Sequence, residues 1–241
     1  MRQHLNLAMS ALVVALSLVV LPCAELRAQG TQDPPRPARF ADAISNDEFR
    51  LLAERVLTIY RQRVYDDTAA GEPAQLADES ASQYQARLNE RQGTMERSRI
   101  ALVDSAGGTR IVHLLPPLWH AYNDIAQTFL VRVGLLLPVE PNEPQIRISL
   151  DQRSAPRWIR LEPFQGLECS DCQIMVDVPL RLQRARGMFD GRPGFPVHAF
   201  ATVRLHGDRG GYPTAQLVGF ALFAGTELLV EWRAPAARAR P

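Results

Sequence analysis

The stretch from Gln173 to Leu182 constrains the fold of this chain more than any other. It reads QIMVDVPLRL, which puts Ile174, Val176, Val178, Leu180 and Leu182 on one face and Met175, Asp177, Pro179 and Arg181 on the other. A period of two belongs to a half-buried strand and does not fit the 3.6-residue period of a helix. Pro179 brings no N–H into this pattern, so the strand is expected at a sheet edge or at a bulge. Two further alternating pieces precede it, QIRISLDQ from Gln145 and RWIRLEPF from Arg157, and between them and the strand lies Cys169-Ser-Asp-Cys172.

The same alternation recurs along the C-terminal half. Arg110 to Leu115 and Phe129 to Leu137 are expected as strands, followed by Gln145 to Leu150, Arg157 to Phe164, Gln173 to Leu182, Val197 to His206, Ala215 to Ala224 and Glu227 to Arg233. Gly- and Pro-bearing turns separate them, and Ala224-Gly225-Thr226 suits a tight hairpin. With almost no helix between strands, an antiparallel β-sandwich or partly open barrel is favoured over a parallel doubly wound sheet. The one helix expected inside this region runs from Pro117 to about Thr128, because Leu118, Tyr122, Ile125 and Phe129 fall at helical spacing.

The half before it reads differently. Ser45 or Asn46 can cap a helix whose first turn holds Asp47 and Glu48, and Phe49, Leu52, Val56, Ile59, Tyr60 and Val64 form its apolar stripe. Gly71-Glu72-Pro73 breaks it. A second helix is expected from about Ala74 to Val103, with a thinner stripe of Leu76, Ala77, Tyr84, Leu88 and Met95 and a polar surface almost all round from Ala86 to Arg99. The fold class is therefore α+β, an N-terminal helical hairpin followed by a β-rich domain. The divisions are 1–28 a signal peptide, 29–39 a Pro-rich linker, 40–103 the helical arm, 104–233 the β-rich domain and 234–241 a disordered tail.

The signal reading rests on Arg2 and His4 ahead of the apolar run Leu5 to Leu21, with small residues leading to cleavage near Ala28. This places the mature protein in a bacterial periplasm or outside the cell. An uncleaved membrane anchor is the runner-up, since the run is long for a signal core. A lipid anchor at Cys23 is disfavoured by Pro22. No span is expected in the mature chain, because Leu114 to Leu137 is interrupted by His120, Asn123, Asp124, Gln127 and Arg132.

Removal of residues 1–28 takes 27 basic residues to 25 and 26 acidic ones to 25, leaving no net charge. That gives no general attraction to nucleic acid. All the basic residues are Arg and none is Lys. Chemistry that needs a P-loop lysine, a Schiff-base lysine or a Ser-Lys dyad is thereby excluded.

Three constellations are candidates for a site. In an exported protein, Cys169 and Cys172 are read as a short-range disulfide that fixes the turn, and as a thiol-disulfide catalyst only secondarily, because the pair precedes a strand and not a helix. Zinc on these cysteines with His198 and His206 is disfavoured, since two histidines eight strand residues apart are separated by roughly 26 Å. His120 and Asp124 would share a helix face near His113, more simply as a surface hydrogen bond than as a catalytic dyad. Arg181, Arg184, Arg186 and Arg192 crowd the loop after Leu182 as a solvated loop or a patch that docks an anionic partner. No catalytic residue, cofactor or metal is assigned. The functional expectation is an exported binding or scaffold protein with a protein partner in the cell envelope, docking through the strand near Pro179, the Arg loop or the helical arm. The alternative is a periplasmic enzyme, a hydrolase or a thiol-disulfide protein using Cys169.

Overall fold

In a computed structural model, residues 37–114, 118–138 (118–121 as backbone only), 146–150, 154–162, 173–184 and 197–235 are described. The described part begins with a 3-10 turn at Ala38–Phe40 and a two-residue strand β1, Ile44–Ser45. Helix α1 spans Asn46–Ala69, and its start is a full capping box: the Ser45 hydroxyl accepts from Glu48 N, and the Glu48 carboxylate accepts from Ser45 N. Asn46, 4% exposed, donates through Nδ2 to Gly134 O and accepts Leu136 N on Oδ1. The start of the helix is thus tied to a strand about ninety residues away. Helix α2, Ala81–Ala106, opens on a second capping box, Ser80 with Gln83, seven residues later than its apolar spacing suggests. Residues 71–80 instead form a loop.

Among the described residues nine strands follow: β2 Gly108–His113, β3 Leu118–Asn123, β4 Thr128–Gly134, β5 Arg147–Leu150, β6 Ile159–Glu162, β7 Gln173–Pro179, β8 Val197–Gly207, β9 Pro213–Ala224 and β10 Glu227–Arg233. They form two sheets, one ordered β1-β2-β8-β9-β10 with β5 also on β9, the other β3-β4-β7-β6. Pairing is antiparallel except where β1 meets β2 and β5 meets β9. The α+β class expected from the sequence is what the chain adopts.

One apolar cluster draws on both sheets and both helices. Phe49, Val56 and Leu57 of α1 and Val103 of α2 join Val131 and Val133 of β4, Ile174 and Val176 of β7, and Val203 and Leu205 of β8. In β9 the inward residues are Ala215 and Leu217, then Phe220, Leu222 and Ala224. The step of three is taken up by a bulge, for Thr202 pairs with Gly219 and Val203 with Leu217, leaving Val218 unopposed. On the other face of this sheet, Phe40, Phe200, Ala221 and Phe223 make a smaller cluster.

Two expectations are overturned. The segment expected as a helix from Pro117 is strand β3, paired with β4, and its chain reverses where Asn123 Oδ1 accepts the amides of Ile125 and Ala126 and Gln127 takes a φ of 50°. And β7 is not an edge strand, because β4 and β6 flank it. Proline is tolerated because its place is at the strand's end: Pro179 pairs with Thr128 of β4, while the register with β6 runs only from Gln173 to Val176. Asp177 N donates to Trp158 O on that side, so the missing N–H of Pro179 would point the same way, past the end of β6.

Candidate functional site: a polar cleft along helix α2

Helix α2 is packed into the core at one end only. Val103 is its single buried residue among the described ones, and the six turns before it expose or half-expose every side chain. At its C-terminal base, Asp104 accepts Gly207 N at 3.0 Å, and Gly207 lets β8 approach so closely that a Cβ there would lie 2.8 Å from Ile100 Cα. Gly107 plays the same part against Leu205, where a Cβ would meet Leu205 Cβ at 2.6 Å.

Toward its N-terminus the helix is held by polar side chains. Arg87 donates from Nε and Nη2 to the two oxygens of Glu79 at 2.8 and 2.7 Å, and also from Nη2 to Ala74 O. The Tyr84 hydroxyl donates to Pro73 O at 3.1 Å. The Arg87 guanidinium holds the Glu79 carboxyl below its ordinary range, and Glu79 in turn raises Arg87. The loop 71–80 is thereby fastened along α2.

Between these attachments lies a cleft of about 510 Å³. Its floor is Asp67, with a carboxylate 6% exposed that accepts Arg99 Nε at 2.7 Å and is ion-paired, without hydrogen-bond alignment, to Arg63 Nε at 3.1 Å. Beside the floor, Tyr60 and Tyr212 meet with ring centroids 5.4 Å apart. Burial first, and then the hydroxyl of Tyr212, push the Tyr60 phenol up to about 12. Tyr212 is set by its loop: Asp208 Oδ1 accepts Gly210 N and Tyr212 N, and Gly211 at φ 76° comes close enough to α2 that a Cβ would sit 2.7 Å from Arg99 Cβ. The α2 wall carries Gln85, Asn89 and Gln92 around Leu88 and Met95. Gln85 Nε2 donates to Asn89 Oδ1 at 3.1 Å, and each amide keeps further polar capacity of the kind that complements a peptide backbone. The arrangement suits recognition: its strongest charges neutralise one another and the amides face solvent.

The residues singled out from the sequence are scattered. Cys169, Cys172, Arg186 and Arg192 lie outside the described residues. Arg181 and Arg184 are exposed, and Arg184 forms an ion pair with Glu227 at the start of β10. His198 and His206 both lie on β8, but the partner of His198 is His113, Nδ1 to Nε2 at 3.1 Å, on the face lined by Phe200. His120 and Asp124 belong to a strand and its turn, so the helical face that was to unite them does not form. Among the described residues, no three His, Cys, Asp or Glu side chains gather as a metal site, and no helix is long and apolar enough to cross a membrane.

Sequence reasoning noticed the thin stripe of α2 but not its cleft. The floor joins Asp67 to Arg99, and the fastening beyond the cleft joins Arg87 to Glu79, pairings that no local period announces. Comparison with protein-family models, with curated protein sequences and with solved structures finds no match to this chain.

Proposed function

We propose that this chain is an exported, non-catalytic binding or scaffold protein, an accessory component of a bacterial envelope assembly, whose β-rich body is a sandwich that carries a helical hairpin as its docking arm. The observation that carries this reading is α2, a helix of 26 residues with one buried side chain and an amide-lined cleft along its exposed part. An isolated helix with so little burial is marginal in water. Here carboxylate and guanidinium contacts fasten it; Gln85 Nε2 donates to Asn89 Oδ1, and the side chains of Gln85, Asn89 and Gln92 remain exposed to solvent. A polypeptide segment that presents backbone N–H and C=O groups fits that wall. In this reading Cys169 and Cys172 form a disulfide, Arg181, Arg184, Arg186 and Arg192 supply a secondary docking patch, and residues 1–28 direct export.

The test is site-specific photocrosslinking from Gln92, at the centre of the cleft wall, in cells of the chain's own type. The expected result is one discrete adduct with an envelope protein, lost when Leu88→Arg and Met95→Arg are introduced together. The absence of any adduct from Gln92, with the chain exported and folded, would sink the reading.

One observation favours the enzyme alternative: His113 and His198 are apposed beside an aromatic wall, and an imidazole pair can relay a proton. If the chain is a hydrolase, His198→Gln abolishes turnover of a generic ester substrate while leaving the Gln92 adduct intact.

A further inference from the structure

Among the described residues strand β6 lies at the edge of its sheet, and its free side can be read from its register. Asp177 N donates to Trp158 O at 2.8 Å, and in step with that bond Arg160 stands opposite Met175 and Glu162 opposite Gln173. The residues that exchange hydrogen bonds with β7 are therefore Trp158, Arg160 and Glu162, while the main-chain groups of Ile159 and Leu161 point away from it. Ile159 N is taken by Pro156 O in a turn. The carbonyl of Ile159 and both main-chain groups of Leu161 have no partner among the described residues.

These groups open onto a groove of about 540 Å³ between β6 and β5, which belongs to the other sheet. Ile148 and Leu150 of β5, with Ala155 and Leu161, line it; all four are half-buried at the margin of the main core. Arg157 stands at the end where β6 begins, exposed and without an ion pair or hydrogen bond among the described residues. Arg160 and Glu162, on the outer face of the same short strand, are ion-paired to each other, and Arg160 also to Asp177. Charges on a four-residue edge discourage indiscriminate pairing.

We propose that the seam between β5 and β6 is a β-augmentation site for an extended segment of a partner protein, running antiparallel to β6, apolar at every second residue and carrying a carboxylate at its C-terminal end. The unpaired groups of Leu161 and Ile159 select a peptide over an acyl chain, which would cover them without bonding them. The apolar residues of the guest enter between Ile148, Leu150 and Leu161. Antiparallel pairing brings the guest's C-terminal end to Ile159, where the Arg157 fork meets a carboxylate. This site stands apart from the helical cleft, and neither reading depends on the other.

The probe is a fluorescein-labelled peptide, Thr-Val-Thr-Val-Thr-Val-Glu, titrated into the full chain and followed by anisotropy and by amide NMR shifts. Saturable binding is expected, with shifts confined to 148–150 and 159–161. N-methylating the amides of the guest that face β6 should weaken it by at least about tenfold, whereas methylating the set one residue out of phase should not. Arg157→Gln should weaken the Glu-ended peptide about three- to tenfold and leave a Gln-ended peptide unchanged. Absence of saturable binding, equal indifference to both methylation phases, or dodecanoate producing the same shifts where the peptide produces none would each overturn the proposal.

Discussion

The two ends of α2 are made on different principles. At the base, contact is backbone against backbone: Gly107 and Gly207 have no side chain, so α2 and β8 approach to a distance at which any Cβ collides. At the tip, contact is side chain against loop, through Arg87, Glu79 and Tyr84. Close packing tolerates almost no change of volume, whereas exposed polar fastenings yield readily to solvent and salt. The contrast teaches how one helix can be fixed in position and still offer a long open face: its rigidity comes from its last two turns, and its recognition groups lie in the turns that packing leaves alone.

The sharpest way to break the contrast is at the base. Gly207→Ala should cost about 2–4 kcal/mol, since the added methyl meets the backbone of Ile100 and neither element can withdraw without disturbing β8. Thermal or denaturant unfolding reads this directly, and a cost within the scatter of surface substitutions would mean that the base is not close-packed. Asp67→Asn comes next, at about 1–2 kcal/mol, because it leaves Arg99 and Arg63 without their carboxylate while both keep access to water. An unchanged denaturation midpoint would show that the cleft floor is not held by charge.

The same division governs what could be read from the sequence. The capping box of α1 is local chemistry, so Ser45 and Glu48 mark its start in three residues. The alternation of Ile174, Val176 and Val178 is likewise local, and these residues are buried as it demands. Strand β3 was hidden because Leu118, Tyr122, Ile125 and Phe129 imitate a helical period across what is in fact a strand, a four-residue turn and a second strand. Ile125 is wholly exposed in that turn, so it never belonged to an apolar stripe. The interior position of β7 was hidden because a proline at a strand's end looks the same in sequence as one in its middle. The cleft and the His113–His198 pair were hidden for a third reason. Asp67 and Arg99 are 32 residues apart, and His113 and His198 are 85 apart, joined only by the fold.

Tyr60 offers a finer test, because it links the two regimes, buried in the core and yet with its ring against that of the exposed Tyr212. Its folded pKa, about 12, lies above the ordinary phenol value of 10.0. The stability that this contributes is complete below the unfolded pKa and is lost as pH rises through the folded one. Stability should therefore decline between about pH 10 and pH 12. Tyr60→Phe removes that part of the decline. Identical slopes for the two proteins in alkaline denaturation would show that neither burial nor Tyr212 raises the Tyr60 phenol in the folded chain.

The smallest effect is expected at the tip, and it distinguishes fastening from packing. Arg87→Gln removes the fork on Glu79 and the bond to Ala74 O, but no apolar contact of the main core. Global stability should stay the same within error, while amide exchange at Ala81–Gln85 quickens about two- to fivefold through local opening. Acid should do the same to the unaltered chain. Glu79 has a lowered pKa, so its contribution is present above the ordinary carboxylate range and lost as pH falls through the folded value; Arg87 keeps its charge throughout. The amides of 100–106, packed on β8, should show neither response. If they quicken with the tip, α2 opens as one unit from end to end, and a partner seated in the cleft would then have to order the whole helix rather than dock on one already held.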